Sequence, residues 1–210
     1  MTKEIRTFDF EIRAEQNEDH GRFLTGQPIV YGAGTELYNP KRGRFIEIID
    51  DGALAETDLR DVRFLVNHNT NMIPLARSRN NNENSTMQME VVPGIGMMIR
   101  VDLDTENNAE AKSLYSAVER GDISGMSFMF TVGEENWEDI DSAIPTRHVR
   151  SIGRVMEVSA VTFPAYEQTS INARGLSDAL DSAWESLESA RAEARKIKVE
   201  KLKIKILART

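Results

Sequence analysis

The chain of 210 residues contains no cysteine, and this absence removes disulfides, thiolate zinc sites and cysteine nucleophiles together. Histidine is scarce as well: only His20, His68 and His148 occur, so a histidine-rich metal site is not expected. No run of about 18 or more apolar residues exists, and the opening MTKEIRTFDF lacks the apolar stretch of a signal peptide. The chain therefore reads as a soluble, intracellular protein with no membrane partner. Any hydrolytic chemistry must run on serine, threonine or carboxylates, and no metal or organic cofactor is implied.

With 40% hydrophobic residues, the sequence has enough apolar material for one real core and an appendage. The net charge of −8 is unevenly spread: from residue 191 to the end there are eight Lys or Arg against two Glu, so the preceding part carries about −14. An acidic body argues against nucleic-acid binding by the main domain. There is no internal repeat, and NNNEN (80–84) reads as a loop tip.

Period-two alternation marks most of the chain. Phe8, Phe10 and Ile12 alternate with polar residues, and RFLTGQPIVYG (22–32), FIEIID (45–50) and VRFLVNH (62–68) are strand candidates, with a short helix expected at GALAETDL between the last two. Met87, Met89 and Val91 before the turn signal PGIG, with Ile99, Val101 and Leu103 after it, predict a hairpin. VRSIGRVMEVSAVTF (149–163) supplies a last long strand or pair of strands. The sum is an α+β fold, a mostly antiparallel β-barrel or sandwich core with a few surrounding helices. Beyond residue 174 the texture changes. Leu176, Leu180, Trp184, Leu187, Ala190, Ala194 and Ile197 mark one face of an amphipathic helix, and from Lys198 the pattern shifts toward period two. This divides the chain into a domain at 1–174 and a basic C-terminal tail at 175–210, which either packs on the core or docks on a partner.

Three stretches carry candidate chemistry. In NNAEAKSLYSAVER (107–120), Ala111, Leu114, Tyr115 and Val118 have helical spacing, Asn107 and Glu110 fit a capping box, and Gly121 stops the helix. In GDISGMSFMF, Phe128, Phe130 and Val132 then alternate as a strand with one buried face, which puts Ser127 at the start of that strand. A hydroxyl held rigidly there suits a nucleophile, although serines are common wherever helices give way to strands. His68 follows an apolar strand at the mouth of a loop, a place for a general base or for an ordinary structural histidine; His20 and His148 read as surface residues. In MEVSAVTFPAY (156–166), Met156, Val158, Ala160 and Thr162 share one strand face, and Glu157, Ser159, Val161 and Phe163 share the other. A carboxylate beside Val161 and Phe163 needs a partner, either a histidine or an arginine such as Arg150 or Arg154.

Taken in order, NH at 67–68, G-x-S-F at 125–128 and EVSxVTxPA at 157–165, preceded by GxFxEIIDDGAL (43–54), resemble the prohead maturation proteases of tailed bacteriophages, a family related in fold to the herpesvirus assembly proteases. The likeness spans roughly residues 22–174. It implies a serine endopeptidase that cleaves scaffold or capsid precursor protein, and itself, inside the immature prohead in the cytoplasm of an infected bacterium. By the same resemblance Ser127 is the nucleophile, His68 the base and Glu157 the residue that orients it. Ser124 is the alternative nucleophile, and Ala76, Arg77 and Arg154 are candidates for the oxyanion or substrate groove. A homodimer or higher oligomer is compatible, and the tail would bind scaffold. Asn69, Ala76 and Met129 depart from the commonest family pattern, where Asp, Gly and Gly are frequent. The rival from another class is a non-catalytic scaffold or capsid-interaction protein on the same fold. A small esterase on the same three residues is a third reading, although GMSFM lacks the second glycine of the common esterase elbow.

Overall fold

Alternating side chains dictate nearly every element of the computed structural model, which describes residues 3–8, 12–18, 21–162 and 173–207. In chain order the strands are β1 (Lys3–Phe8), β2 (Ile12–Asn17), β3 (Gly21–Val30), β4 (Thr35–Asn39), β5 (Gly43–Ile49), β6 (Arg63–Val66), β7 (Ala76–Arg77), β8 (Met87–Val92) and β9 (Gly96–Asp102). Helix α1 (Ala109–Glu119) follows, then β10 (Gly125–Glu138), β11 (Thr146–Val161) and helix α2 (Ala173–Leu207).

A seven-stranded sheet has the path β1-β10-β11-β5-β4, with β6 branching from β11 and β7 paired to β6, and a four-stranded one runs β2-β3-β9-β8. The organising element is β11, 16 residues long. It pairs with β10 along one edge; on the other, residues 146–149 pair with β5 and residues 157–160 with β6, both in parallel. Neither sheet closes on itself, so the barrel alternative gives way to two open sheets. Leu24, Ile29, Met97 and Val101 from the smaller sheet join Phe64, Met126, Phe128, Phe130 and Val158 from the larger in one apolar cluster, to which α1 adds Ala111, Leu114, Tyr115 and Val118. A second cluster, Leu37, Phe45, Trp137, Leu180, Ala183, Trp184 and Leu187, seats α2 on the larger sheet.

The structure corrects several local expectations. GALAETDL forms successive turns instead of a helix, with Ala53 N–H bonded to Asp50 O and Ala55 N–H to Gly52 O. Such i→i+3 bonds close turns without propagating an α-helix. The cap of α1 is Asn108, one residue later than expected; its side chain accepts from Glu110 N at 3.0 Å and Ala111 N at 3.2 Å, and Asn107 binds Asp104 instead. Gly121 does end α1, in the left-handed conformation at φ 77°. The Phe8/Ile12 alternation spans a junction between two strands that belong to different sheets, and Phe10 lies outside the described residues. The PGIG hairpin forms, and Gly96 is required there: at φ 133° a Cβ would fall 2.0 Å from Ile29 O. The tail stays helical through residue 207, so the apparent change of period at Lys198 does not break the helix.

Candidate active site

β10 and β11 are two-sided. Met126, Phe128 and Phe130 point into the core, as do Val158 and Ala160, which leaves the opposite face to Ser127, Glu157 and Ser159. Ser127 is paired directly with Ser159 across the two strands, and Glu157 with Met129. Register slips between Met129 and Phe130, where Met156 is the extra residue on β11, so Val155 rather than Met156 takes up the core-facing position. A bulge of this kind re-aims the side chains beside it, and here it lies next to Glu157.

His68 arrives from the other side of β11. β6 runs parallel to residues 157–160, and Asn67 N–H continues the ladder to Ala160 O at 2.9 Å. Asn67 and His68 then both adopt left-handed backbone, at φ 50° and 55°. Asn67 tolerates this better than most residues, and it exchanges hydrogen bonds with Thr162: Nδ2 donates to Oγ1 and Oδ1 accepts from Thr162 N, each at 3.0 Å. The turn delivers the imidazole onto the face of β11 that carries the two serines. His68 Nδ1 is hydrogen-bonded to Glu157 Oε1, and both side chains are almost wholly buried, with 6% and 4% of their surfaces exposed. Glu157 is thus partnered by histidine; Arg150 pairs with Asp50 at 2.7 Å, and Arg154 lies 3.8 Å from Asp58. His68 Nε2 is buried and has no hydrogen-bond partner.

Ser127 is fully buried. Its hydroxyl donates to the Arg6 carbonyl at 2.7 Å and accepts from Thr7 Oγ1 at 2.9 Å. The edge strand β1 therefore holds the hydroxyl, and Ser127 is not bonded to His68. Ser124 is exposed three residues earlier, just ahead of β10. Ala76 is buried and pairs with Phe64. Arg77 makes two hydrogen bonds to Asp61, at 2.6 and 3.0 Å, which hold the Asp61 carboxyl below its ordinary value. Of the remaining histidines, His148 is partly buried against Asp50 at 2.8 Å, which corrects its reading as a surface residue; His20 lies outside the described residues.

Two features went unread in the sequence. One is Ser159, whose hydroxyl donates to Glu157 Oε2 at 2.6 Å and accepts from His68 N at 3.1 Å. The other is a buried ion network on the opposite, core-facing side of the sheet. Arg6 binds Glu47 and Glu4, both at 2.5 Å at closest, and Arg147 binds Glu4, Glu47 and Glu135. Arg6 also lies over the Phe130 ring, 5.7 Å from its centroid. A cavity of about 230 Å³ next to this network is lined by Glu4, Arg147, Glu135, Ser182 and Ser186 among others, and so lies between the sheet and α2. Burial alone would raise the Glu47 carboxyl, but Arg6 and Arg147 more than offset it and hold the group below the usual carboxylate range. Glu47 shares a strand face with Phe45 and Ile49, and Arg147 with Val149, but because FIEIID is apolar on both faces this parity does not by itself tie Glu47 to the core.

A carboxylate-bound imidazole whose second nitrogen is unspoken for, on the sheet face that also carries a rigid serine, contains the chemical groups of a serine hydrolase. The family model for the caudovirus prohead serine protease matches residues 8–182, and the chain belongs to that family. No curated protein and no solved structure matches it. No described helix is long and apolar enough to cross a membrane.

Proposed function

We propose that this protein is the maturation endopeptidase of a phage prohead, cleaving the capsid or scaffold precursor and itself by acyl transfer through Ser127. The observation that carries this reading is His68, with Nδ1 committed to Glu157 and Nε2 buried and unpartnered on the face it shares with Ser127. Ser127 Oγ leaves the Arg6 carbonyl, gives its proton to His68 Nε2 and attacks the scissile carbonyl carbon. The imidazolium returns that proton to the leaving amine, and water then hydrolyses the acyl-enzyme by the same route. Glu157 fixes the ring and stabilises its charged form. Arg77 and Arg154 already face Asp61 and Asp58, so backbone amides are the better oxyanion donors.

The work takes place inside the assembling capsid, in the cytoplasm of the infected cell. Residues 1–174 supply the catalytic groups, and the basic end of α2 is the segment that holds the enzyme on its scaffold partner.

The non-catalytic alternative also has one observation in its favour, the engagement of the Ser127 hydroxyl with β1. Paired expression of wild type and Ser127→Ala, with intact mass followed over time in the presence of scaffold-fused capsid protein, separates the two. The expected result is that wild type cleaves the precursor and shortens itself while Ser127→Ala leaves both whole. If both chains stay intact under assembly conditions, the interaction reading takes over. Equal trimming of both moves the nucleophile away from Ser127, and Ser124→Ala is then the variant to compare.

A further inference from the structure

We propose that Ser159 is the positioning residue of this site, one hydroxyl that fixes the histidine at both its backbone and its ring. The inference rests on the reading of His68 as the base, but its geometry is independent of which serine is the nucleophile. Ser159 is fully buried, and its Oγ has two partners on two elements. Toward its own strand it donates to Glu157 Oε2 at 2.6 Å, the carboxylate oxygen that His68 does not use. Toward the loop after β6 it accepts from the main-chain N–H of His68 at 3.1 Å. Its single proton goes to the carboxylate and a lone pair receives the amide, so both roles are met at once.

The second bond is the unusual one. His68 has left-handed backbone at φ 55°, a conformation that non-glycine residues rarely keep unless their surroundings enforce it. Asn67 anchors the residue before it through Thr162 and Ala160, but the amide of His68 itself has Ser159 as its partner. Because Ser159 also sets which way the Glu157 carboxylate faces, it determines the origin of the imidazole and the direction in which Nε2 points. It stands directly across from Ser127 on β10, so a tilt of the ring about this anchor changes the gap that the proton has to cross. Ser159 touches no reacting atom. Its effect passes through His68 and Glu157.

The test uses the full chain as Ser159→Ala and Ser159→Thr, each also made in a Ser127→Ala background so that the protein stays whole. Two readings are taken: peptide-cleavage kinetics in the active background, and the NMR signal of the hydrogen-bonded His68 Nδ1–H in the inactive one. We expect Ser159→Ala to lower kcat on the order of a hundredfold with KM changed less than about twofold, since misplacement near 1 Å has that effect on an aligned proton transfer. The Nδ1–H signal should broaden or vanish, and Ser159→Thr, which keeps the hydroxyl, should restore both. A folded Ser159→Ala with the wild-type His68 signal overturns the proposal, whatever the kinetics. So does a Ser159→Ala chain that fails to fold while Ser159→Thr fails alike, because the residue is then merely structural. If the parent chain proves to cleave nothing, the protease reading falls, and the His68 signal alone still decides whether Ser159 positions the ring.

Discussion

Holding a histidine in left-handed backbone costs on the order of 1–3 kcal/mol, and His68 is held there at φ 55°. The turn reverses the chain immediately after β6, so that the ring lies over β11 and reaches Glu157. A buried ring nitrogen without a protein partner calls for an explanation, and the proposed role as proton acceptor supplies one. On the proposed reading Glu157 orients the His68 ring, and replacing it tests that role. Glu157→Gln keeps the volume but can offer His68 Nδ1 an amide donor in place of an acceptor, which favours the wrong tautomer. The expected loss is on the order of 10⁴ in kcat, read with the same peptide as the wild type and at nearly unchanged KM. A loss of less than about tenfold would place Glu157 outside the machinery. His68→Ala should fall at least as far, because the proton acceptor itself is gone.

At the scale of elements, β1 is the least expected participant. It is an edge strand of six residues, yet one face of it holds the Ser127 hydroxyl through Thr7 and the Arg6 carbonyl, while the other face sends Glu4 and Arg6 into the buried network. Removing one member of such a network leaves its partners charged and dry. Arg147→Ala is therefore expected to lower stability by about 3–5 kcal/mol, seen as a drop in the urea midpoint. The network also leads to a prediction about acid sensitivity. The folded Glu47 carboxyl titrates below its unfolded value, so the stability it contributes is fully present above the unfolded value, about 4.3 for a glutamate, and disappears as pH falls through the folded one. Glu47→Gln should flatten that part of the acid limb when urea midpoints are compared between pH 7 and 3; an unchanged slope would mean that other carboxylates dominate it.

Much at this scale was legible from alternation. β3, β5, β6, the β8/β9 hairpin and β11 lie within a few residues of their sequence patterns, because one-sided burial and period two coincide in them, whereas β10 runs on to Glu138, well past the alternation that ends at Val132. The network was not legible, since FIEIID is apolar on both faces and alternation alone does not say which face Glu47 shares with the core. The juxtaposition of His68 and Glu157 could be suspected from chemistry, but Ser159 could not be singled out. Its role depends on β6 lying parallel to β11 in a register that brings the His68 amide over its hydroxyl, and register between strands some 90 residues apart leaves no local trace.

At the scale of the whole molecule, α2 has two halves with different physics. Up to Arg191 it belongs to the fold: Trp184 stacks edge-on against Phe45 at 6.0 Å, Trp137 Nε1 donates to Ser186 Oγ at 3.0 Å, and Arg191 Nε donates to Ile140 O at 2.7 Å. Residues 192–200 are exposed at every position, and Ile197, Val199 and Ile204 show 44%, 52% and 66% of their surface to solvent beside a series of lysines. The boundary that composition placed at residue 174 thus differs from the boundary in packing, which falls near Arg191. The two give different predictions. Trp184→Ala should cost about 3–5 kcal/mol, and a chain ending at 174 should be more severely destabilised because the whole second cluster loses its helix. A chain ending at 191 should keep the wild-type urea midpoint and peptide kcat, since among the described residues beyond that point none is buried. What it should lose is affinity for an acidic scaffold precursor, and that affinity should weaken in the full-length protein as salt rises from about 0.05 to 0.5 M, because exposed charges are screened over that range. Pull-down of the scaffold precursor by the Ser127→Ala chain, full-length and ending at 191, measures this directly. Equal capture by both at every salt concentration would assign scaffold binding to the folded domain and leave the basic half of α2 without that role.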